Sequence, residues 1–341
     1  MIMKYKLHHI IFEVTPACNL SCLYCYNYWR REKRQPASSG FRQADKTLKK
    51  LFKIADFGHI TFTGGEPFLA EGLAEHVLRC RLKGKNITVI SNGTTAACED
   101  YKLLVDMGVS LFELPLHSDK PEVHDGMTTV PGCFNKVVRS LNILTELKAE
   151  ICTVIVLTKL NCDRMYETLQ FAESLGVIRV MLARFNIGGN GISNRELLLP
   201  SLAQLKSAFT TANDYRKKNR IQISANVCVP QCIINPADYP RIPISSCGSN
   251  LKTKPVTVDA SGNVRICNHS PVVLGNIHTD TFEEMFSTPY TRAWESELPE
   301  YCMSCSYGAT CRGGCRAASE QMGNPMNTVD PIVSYYLREA C

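Results

Sequence analysis

From residue 8 to about residue 218, short apolar runs alternate with segments of helical periodicity. The runs at 59–63 and 151–157 are rich in β-branched and aromatic residues, which favour strands. We predict strands at 8–15, 59–63, 87–90, 109–116, 151–157 and 177–185, and helices at 44–57, 134–147, 165–175 and 202–218, with two more that end near residues 82 and 107. Strands that alternate with helices are typical of parallel βα units. We therefore predict an α/β fold that forms a partial (β/α)6 barrel.

The alternation ends near residue 226, where prolines and cysteines become frequent. We predict a core domain over residues 1–226, a linker over 227–244 and a cysteine-rich C-terminal domain over 245–341. Within the last of these, residues 256–267 have the pattern of a β-hairpin. Gly262 suits a positive φ in its turn.

The composition is that of an ordinary globular protein, with 45% hydrophobic and 21% charged residues among 341. The net charge of +6 is only mildly basic, and no apolar run reaches the length of a membrane span. We expect neither a nucleic-acid nor a membrane partner. No signal-peptide pattern precedes the first strand, so we expect a cytoplasmic protein. We interpret the basic run 29–34 as a solvated face, with docking of an anionic peptide or redox partner as the alternative.

Cysteine is the residue type that departs from this ordinary composition. The chain has 17 cysteines, and an odd number without a secretion signal indicates metal binding rather than disulfides. Cys18, Cys22 and Cys25 follow the first strand at the spacing C-x3-C-x2-C. Three thiolates can hold three irons of a [4Fe–4S] cube and leave the fourth iron open for a small molecule. The alternative is a loop that merely contains three cysteines, or a partial zinc site.

The stretch 15–26 resembles the signature of the radical SAM enzymes, C-x3-C-x-aromatic-C, with Tyr24 as the aromatic residue. This resemblance implies that the open iron binds S-adenosylmethionine and that an electron from the cluster cleaves it to a 5′-deoxyadenosyl radical. The radical would then abstract hydrogen from the substrate. Such chemistry implies an anaerobic, reducing environment and an electron donor of the flavodoxin or ferredoxin type.

Further segments resemble the S-adenosylmethionine contacts of that family. Gly64-Gly65-Glu66-Pro67 follows the second strand and looks like the motif that binds the amino group. Glycines allow a close approach, and the Glu66 carboxylate can accept from an ammonium group. Ser91 and Asn92 end the next strand, where family members contact the ribose or the carboxylate. Arg184, in a late strand, is a candidate partner of the carboxylate. Polar turns and an exposed arginine are the alternatives.

The segment 116–125 departs from the family pattern. Pro115 and His117 stand where serine and aspartate are usual, and Thr128 stands where arginine is common. The contacts usually made from this segment are therefore in question. His117 and Asp125 are candidates for acid–base work on the substrate, with a structural role as the alternative.

Seven C-terminal cysteines match the complete pattern of the SPASM extension of radical SAM peptide-modifying enzymes: Cys247, Cys267, Cys302, Cys305, Cys311, Cys315 and Cys341. This resemblance implies two auxiliary [4Fe–4S] clusters. The first would be held by Cys247, Cys267 and Cys315. The second would be held by Cys302, Cys305, Cys311 and Cys341. A zinc site is the competing interpretation, because C-x2-C pairs are typical zinc ligands.

The first auxiliary set lacks a fourth thiol. We expect an open or non-cysteine position there, with closure by Cys228 or Cys232 as the alternative. For the remaining cysteines we expect buried apolar packing: Cys80, Cys98, Cys133, Cys152 and Cys162.

The resemblance implies a maturase that acts on a peptide or protein side chain, by crosslinking, oxidation or epimerisation. Only seven residues precede the first strand, so we expect no fused leader-recognition domain, and a separate recognition protein or direct docking would be needed. Oxidation of a small molecule such as a sugar alcohol or an amino acid is the alternative among enzymes. An electron carrier without S-adenosylmethionine chemistry is the alternative outside them, and the segment 64–67 speaks against it.

Overall fold

The structure, a computed structural model, describes residues 4–30 and 40–339. Its strands are β1 (Tyr5–Lys6), β2 (His9–Thr15), β3 (Ala55–Asp56), β4 (His59–Gly64), β5 (Asn86–Ile90), β6 (Leu111–Pro115), β7 (Ile151–Leu157), β8 (Arg179–Arg184), β9 (Gln222–Ser224), β10 (Val256–Asp259), β11 (Asn263–Arg265) and β12 (Val273–Asn276). Its helices are α1 (Phe41–Ile54), α2 (Leu73–Leu82), α3 (Cys98–Asp106), α4 (Pro121–Thr128), α5 (Cys133–Glu146), α6 (Met165–Ser174), α7 (Asn190–Ser193), α8 (Arg195–Leu198), α9 (Leu202–Lys218), α10 (Phe282–Phe286), α11 (Pro289–Ser296), α12 (Gly308–Cys311), α13 (Arg316–Gln321) and α14 (Pro331–Glu339).

One sheet organises the molecule, with the strand order β12-β11-β10-β2-β4-β5-β6-β7-β8-β9. From β10 to β9 every neighbouring pair is parallel. The six predicted strands, β2 and β4 to β8, lie side by side in chain order with helices between them. This confirms the predicted partial (β/α)6 barrel.

The two faces of this sheet differ in polarity. Phe12, Phe62 and Phe112 lie in one register row and are fully buried in an apolar core that includes residues of α1 and α2. Alternate positions point to the other face, which carries His9, Thr61 and Glu113. His9 and Thr61 share a hydrogen bond of 2.8 Å there. Buried parallel sheets are usually apolar on both faces, so this polar inner face is suited to a ligand.

The element boundaries differ from the predicted ones by a few residues. The helix predicted at 44–57 is α1 at Phe41–Ile54, because Ala55 already belongs to β3. The sequence did not predict β9 or α4, and the segment of α4 was interpreted as a loop. A strand of three residues and a helix of eight give little periodicity from which to predict them.

The C-terminal hairpin extends the same sheet. β10 and β11 pair antiparallel and Gly262 has φ +92°, which confirms the predicted hairpin. β10 also pairs parallel with β2, with Val256 opposite Ile10. The division of the chain at 227–244 stays a prediction, although the two regions share this sheet. Among the described helices, none is long and apolar enough to cross a membrane.

A buried ion pair joins the barrel to this hairpin. Glu13 of β2 and Arg265 of β11 pair with both side chains almost fully buried. The Arg265 guanidinium also lies 5.0 Å from the ring centre of Tyr28 and 5.8 Å from that of Trp29. Trp29 is buried, so it does not belong to the solvated face predicted for the run 29–34. Residues 31–34 of that run lie outside the described residues.

We predict that Glu13→Gln lowers the free energy of unfolding by about 3–5 kcal/mol, because it leaves Arg265 as an uncompensated buried charge. Thermal unfolding of the reconstituted protein, followed by circular dichroism, measures the effect. Asp106→Asn is the matched control, since it breaks the exposed Lys102–Asp106 pair and should leave the midpoint unchanged. Equal midpoints for Glu13→Gln and the parent would contradict the assigned role.

Candidate iron–sulfur centres

The loop after β2 carries the first set of thiols. Cys18, Cys22 and Cys25 lie close enough to influence one another electrostatically. Burial raises the pKa of the Cys22 thiol to about 12 and also raises the pKa of Cys25. Without metal the Cys22 and Cys25 thiols stay protonated at neutral pH, and metal binding would displace their protons.

The segment 64–67 packs directly against this loop. The backbone N–H groups of Gly65 and Glu66 donate to the carbonyl oxygens of Thr15 and Ala17, each at 2.7 Å. A Cβ at Gly65 would lie 2.0 Å from the Ala17 oxygen, and Gly64 has φ +126°. Both glycines are thus required by the close approach of two backbone segments.

Glu66 joins the ends of two strands. Its buried carboxylate accepts from the backbone N–H groups of Phe68 (3.1 Å) and Asn92 (2.6 Å) and from the Ser91 hydroxyl (2.9 Å). Burial raises the pKa of Glu66, although these hydrogen bonds act in the opposite direction. The structure shows this carboxylate as a clamp between β4 and β5. Its direct contact with an ammonium group stays a prediction.

Asn92 brings the end of β5 to the cluster loop. Its side-chain amide donates to the Asn19 side chain at 2.8 Å and lies 3.8 Å from the Cys18 sulfur. The carboxyl ends of β2, β4 and β5 therefore meet at the thiols, as expected for functional loops of a βα barrel. The structure thus brings together the predicted residues Cys18, Ser91 and Asn92 with the segment 64–67.

Tyr24 and His117 form a buried pair beside Cys22. The Val156 N–H donates to Nδ1 of His117 at 3.3 Å, so the ring proton belongs on Nε2, which donates to the Tyr24 hydroxyl at 2.6 Å. The Tyr24 hydroxyl in turn hydrogen-bonds to Cys22. Burial, helped by neighbouring His124, lowers the pKa of His117 and keeps the ring neutral.

Asp125, the other acid–base candidate in the segment 116–125, is also engaged by the protein. The Asp125 carboxylate accepts from the backbone N–H groups of Gly132 (2.6 Å) and Phe134 (2.7 Å) at the start of α5. Together with the bonded nitrogens of His117, this favours the structural alternative for both residues. Their acid–base role on a substrate stays a prediction.

Arg184 is occupied elsewhere. Its buried guanidinium pairs with Asp330 and donates to the Cys228 carbonyl oxygen at 2.8 Å. Asp330 also accepts from the Cys315 N–H at 2.7 Å. The contact of Arg184 with the S-adenosylmethionine carboxylate stays a prediction, while the structure places this side chain beside the C-terminal thiols.

Four thiols surround a second centre. Cys228, Cys247, Cys267 and Cys315 line one cavity of about 400 Å³. The Cys228 thiol hydrogen-bonds to Cys247 and Cys315, which lowers the pKa of Cys247 to about 6 and lowers that of Cys315. The predicted first auxiliary set is therefore assembled. Cys228 stands at the position we expected to be open, which favours the alternative that Cys228 closes it.

A charged side chain lines the same cavity. Burial acts to lower the pKa of Lys254, but the thiolates of Cys247 and Cys267 outweigh it, so the pKa is raised overall. A cation at this point would offset the negative charge of four thiolates and a cube.

Cys302, Cys305 and Cys311 line a second, smaller cavity, together with Cys232. Cys341, the predicted fourth ligand there, lies outside the described residues. Of the remaining cysteines, Cys80, Cys133, Cys152 and Cys162 are buried as expected. The expectation for Cys98 is wrong, because it lies exposed at the start of α3.

The three sets can be tested for fit to iron–sulfur cubes. Within residues 4–30 and 40–339, no three His, Cys, Asp or Glu side chains are gathered closely enough to hold a single metal ion. A cube instead spreads its thiolates over separate irons. The thiols of the auxiliary sets line cavities rather than a single point. The donor sets, all thiol, are the type that iron–sulfur clusters use.

Glu113 is a candidate that sequence reasoning missed. It lies on the inner face of β6, and burial raises the pKa of its carboxyl to about 7. The only signal in the sequence was an acidic residue at an alternating position of an otherwise apolar strand. Such a carboxyl can hold or release a proton near neutral pH.

Two family models match the chain. The model described as the radical SAM superfamily matches residues 12–172, and that of SPASM, an iron–sulfur cluster-binding domain, matches residues 247–306. The PqqA peptide cyclase of Methylocella silvestris is 25% identical over 332 residues, which cover 95% of this chain and 86% of that protein. The AdoMet-dependent heme synthase of Nitratidesulfovibrio vulgaris is 23% identical over 352 residues, covering 96% and 92%. A solved structure of native anSMEcpe with bound AdoMet shows the same fold, with TM-score 0.73, 20% identity and coverage of 97% and 95%.

We predict that Gly65→Ala weakens S-adenosylmethionine binding by about tenfold or more, since its Cβ would force the segment 64–67 away from Ala17. Equilibrium dialysis of the reconstituted protein with labelled S-adenosylmethionine measures the dissociation constant. Gly58→Ala is the matched control, because nothing lies within 4 Å of the added Cβ. An affinity of Gly65→Ala equal to that of the control would refute this role of Gly65.

A second prediction concerns pH. Because the folded-state pKa of Glu113 lies above its unfolded value, its protonation stabilises the fold at low pH, and this contribution is lost as the pH rises through about 7. In the parent protein, Glu113 should lower the free energy of unfolding by about 3 kcal/mol as the pH rises from 4.5 to 7. In Glu113→Gln this decrease should be absent. Denaturant unfolding at these two pH values tests it. Parallel pH dependences for the two proteins would contradict it.

Proposed function

Since the chain belongs to the radical SAM superfamily and carries a C-terminal SPASM domain, it is a radical SAM enzyme, and we propose that its substrate is a peptide or protein side chain. The observation that carries this proposal is the assembly of the auxiliary thiol sets beside the barrel that bears the cluster loop. The peptide cyclase relative, similar over nearly the whole chain, supports it.

The residues that would hold the S-adenosylmethionine cluster are Cys18, Cys22 and Cys25. When it is bound, this group supplies one-electron cleavage of S-adenosylmethionine, which gives a 5′-deoxyadenosyl radical for hydrogen abstraction. The segment 64–67, clamped through Glu66, would position the S-adenosylmethionine amino group against the cluster loop. We include Tyr24, Ser91 and Asn92 among the side chains that shape this position.

The polar inner face of the barrel would receive the substrate. It carries Glu113, whose carboxyl can hold a proton at neutral pH, and the hydrogen-bonded pair of His9 and Thr61. Burial, more than neighbouring His59, lowers the pKa of His9 to about 3, so this ring is neutral and hydrogen-bonds without charge. These groups can orient a peptide by hydrogen bonds.

Two partners follow from this proposal. We propose a separate reducing electron donor of the flavodoxin or ferredoxin type. We also propose a separate leader-recognition protein, or direct docking of the peptide. We place the enzyme in the cytoplasm, where reduced thiols and clusters persist.

A small-molecule substrate is the second candidate. It is supported by the similarity to a heme synthase, which extends over 96% of this chain. The similarity to the peptide cyclase extends over 95%. Both candidates share the cluster loop and differ in what enters the barrel. We favour the peptide because the peptide cyclase is 25% identical to this chain and the heme synthase 23%, and because the C-terminal cysteine pattern resembles that of peptide-modifying enzymes.

We predict that the anaerobically reconstituted, dithionite-reduced protein converts S-adenosylmethionine to 5′-deoxyadenosine and that Cys22→Ala abolishes this, because one iron of the cube loses its thiolate. Liquid chromatography measures the product, and Cys98→Ala is the matched cysteine control. If Cys22→Ala still cleaved S-adenosylmethionine, the assignment of this cluster to Cys18, Cys22 and Cys25 would be wrong.

The substrate class needs a separate experiment. The protein is coexpressed with each short open reading frame encoded beside its gene, and the masses of the peptides are measured by mass spectrometry. A mass change with the parent enzyme, absent with Cys22→Ala, supports a peptide substrate. Unchanged peptides, together with 5′-deoxyadenosine formation stimulated by a haem precursor, would overturn it in favour of the small molecule.

A further inference from the structure

The short segment from Cys228 to Cys232 runs between the two auxiliary cavities. The thiol of Cys228 contacts Cys247 and Cys315 in the first cavity. Three residues later, the backbone N–H of Gln231 donates to the Cys311 sulfur at 3.4 Å. Within a few residues, the chain therefore passes from one set of thiols to the other.

A turn fixes this passage. The carbonyl oxygen of Pro230 accepts from the N–H groups of Ile233 (2.9 Å) and Ile234 (3.1 Å). The buried Gln231 side chain accepts from the Thr310 hydroxyl at 3.1 Å, on the helix that carries Cys311. The turn is thus tied by backbone and side-chain bonds to the wall of the second cavity.

Cys232 shares that cavity with the other three thiols. Cys232, Cys302, Cys305 and Cys311 line it together and are the four thiols among its described lining. The Cys232 side chain is exposed, and it lies close enough to the thiols of Cys302, Cys305 and Cys311 to interact with them electrostatically. On the side of α14 the wall is apolar, formed by Val329 and Val333.

We propose that Cys232 is a ligand of the second auxiliary cluster and completes a four-thiolate set with Cys302, Cys305 and Cys311. Four thiolates are the full complement of a closed [4Fe–4S] cube. Cys228 and Cys232 then supply one ligand to each auxiliary cluster from one turn. This assignment rests on the presence of the auxiliary clusters, not on the identity of the substrate.

A structural reason supports ligation at this position. The Gln231 N–H aimed at Cys311 is the kind of hydrogen bond to a cluster sulfur that tunes and fixes metal ligands. It would hold the turn at the cluster while Cys232 bonds to iron.

The test uses the full chain, reconstituted anaerobically with iron and sulfide. We expect Cys232→Ala to lose about four of about twelve irons per chain, and with them the electron paramagnetic resonance signal of one cluster. Cys232→Ser should keep iron but alter that signal, since oxygen would replace sulfur on one iron. Far-UV circular dichroism checks that both variants fold.

Two further variants complete the set. Cys98→Ala removes an exposed thiol that lines neither auxiliary cavity and should leave iron and spectrum unchanged. Cys341→Ala tests the competing ligand. Full iron and an unaltered spectrum in both Cys232 variants, with loss in Cys341→Ala, would overturn the proposal. Iron content and the spectrum are measured without turnover of a substrate. An error in the proposed peptide substrate would therefore not change the outcome of this test.

Discussion

The buried ion pair between Arg184 and Asp330 fixes the relation between the barrel and the C-terminal thiols. Arg184 ends β8, and Asp330 lies directly before α14. The same guanidinium donates to the Cys228 carbonyl oxygen, and the same carboxylate accepts from the Cys315 N–H. Two thiols of the first auxiliary site thus take their positions from one pair of charges.

This ion pair selects one packing of α14 against the barrel more than it adds to the free energy of unfolding. Burial raises the pKa of Asp330 to about 6, although Arg184 acts in the opposite direction, which shows the cost of removing the carboxylate from water. A pair of this kind contributes little net stability, but an unpaired partner is strongly unfavourable. Alternative packings of α14 that separate the charges are therefore disfavoured. On the opposite side of the barrel, Glu13 and Arg265 constrain the hairpin in the same way.

The periodicity of the sequence was sufficient to predict the strands of the barrel and therefore the position of the cluster loop after β2. Strands β2 and β4 to β8 were predicted because their apolar runs are long enough to show a pattern. The segment 64–67 was found because it resembles a motif of the radical SAM family and follows a predicted strand one βα unit after the three cysteines. The ion pair of Arg184 could not be predicted from local pattern, because its partner Asp330 lies 146 residues away in the chain. Glu113 was missed because its pKa depends on burial, which a single residue in a strand does not reveal.

The spacing C-x3-C of Cys228 and Cys232 shows why such assignments need the fold. In a helix, residues four apart share a face, and in a strand they do so as well. Either regular structure would therefore send both thiols to one site, and sequence reasoning offered them as alternatives for the same position. The turn at Pro230 breaks that rule by directing the Gln231 N–H to Cys311. Irregular backbone, which propensity describes least well, thus decides how the thiols are divided between the auxiliary sites.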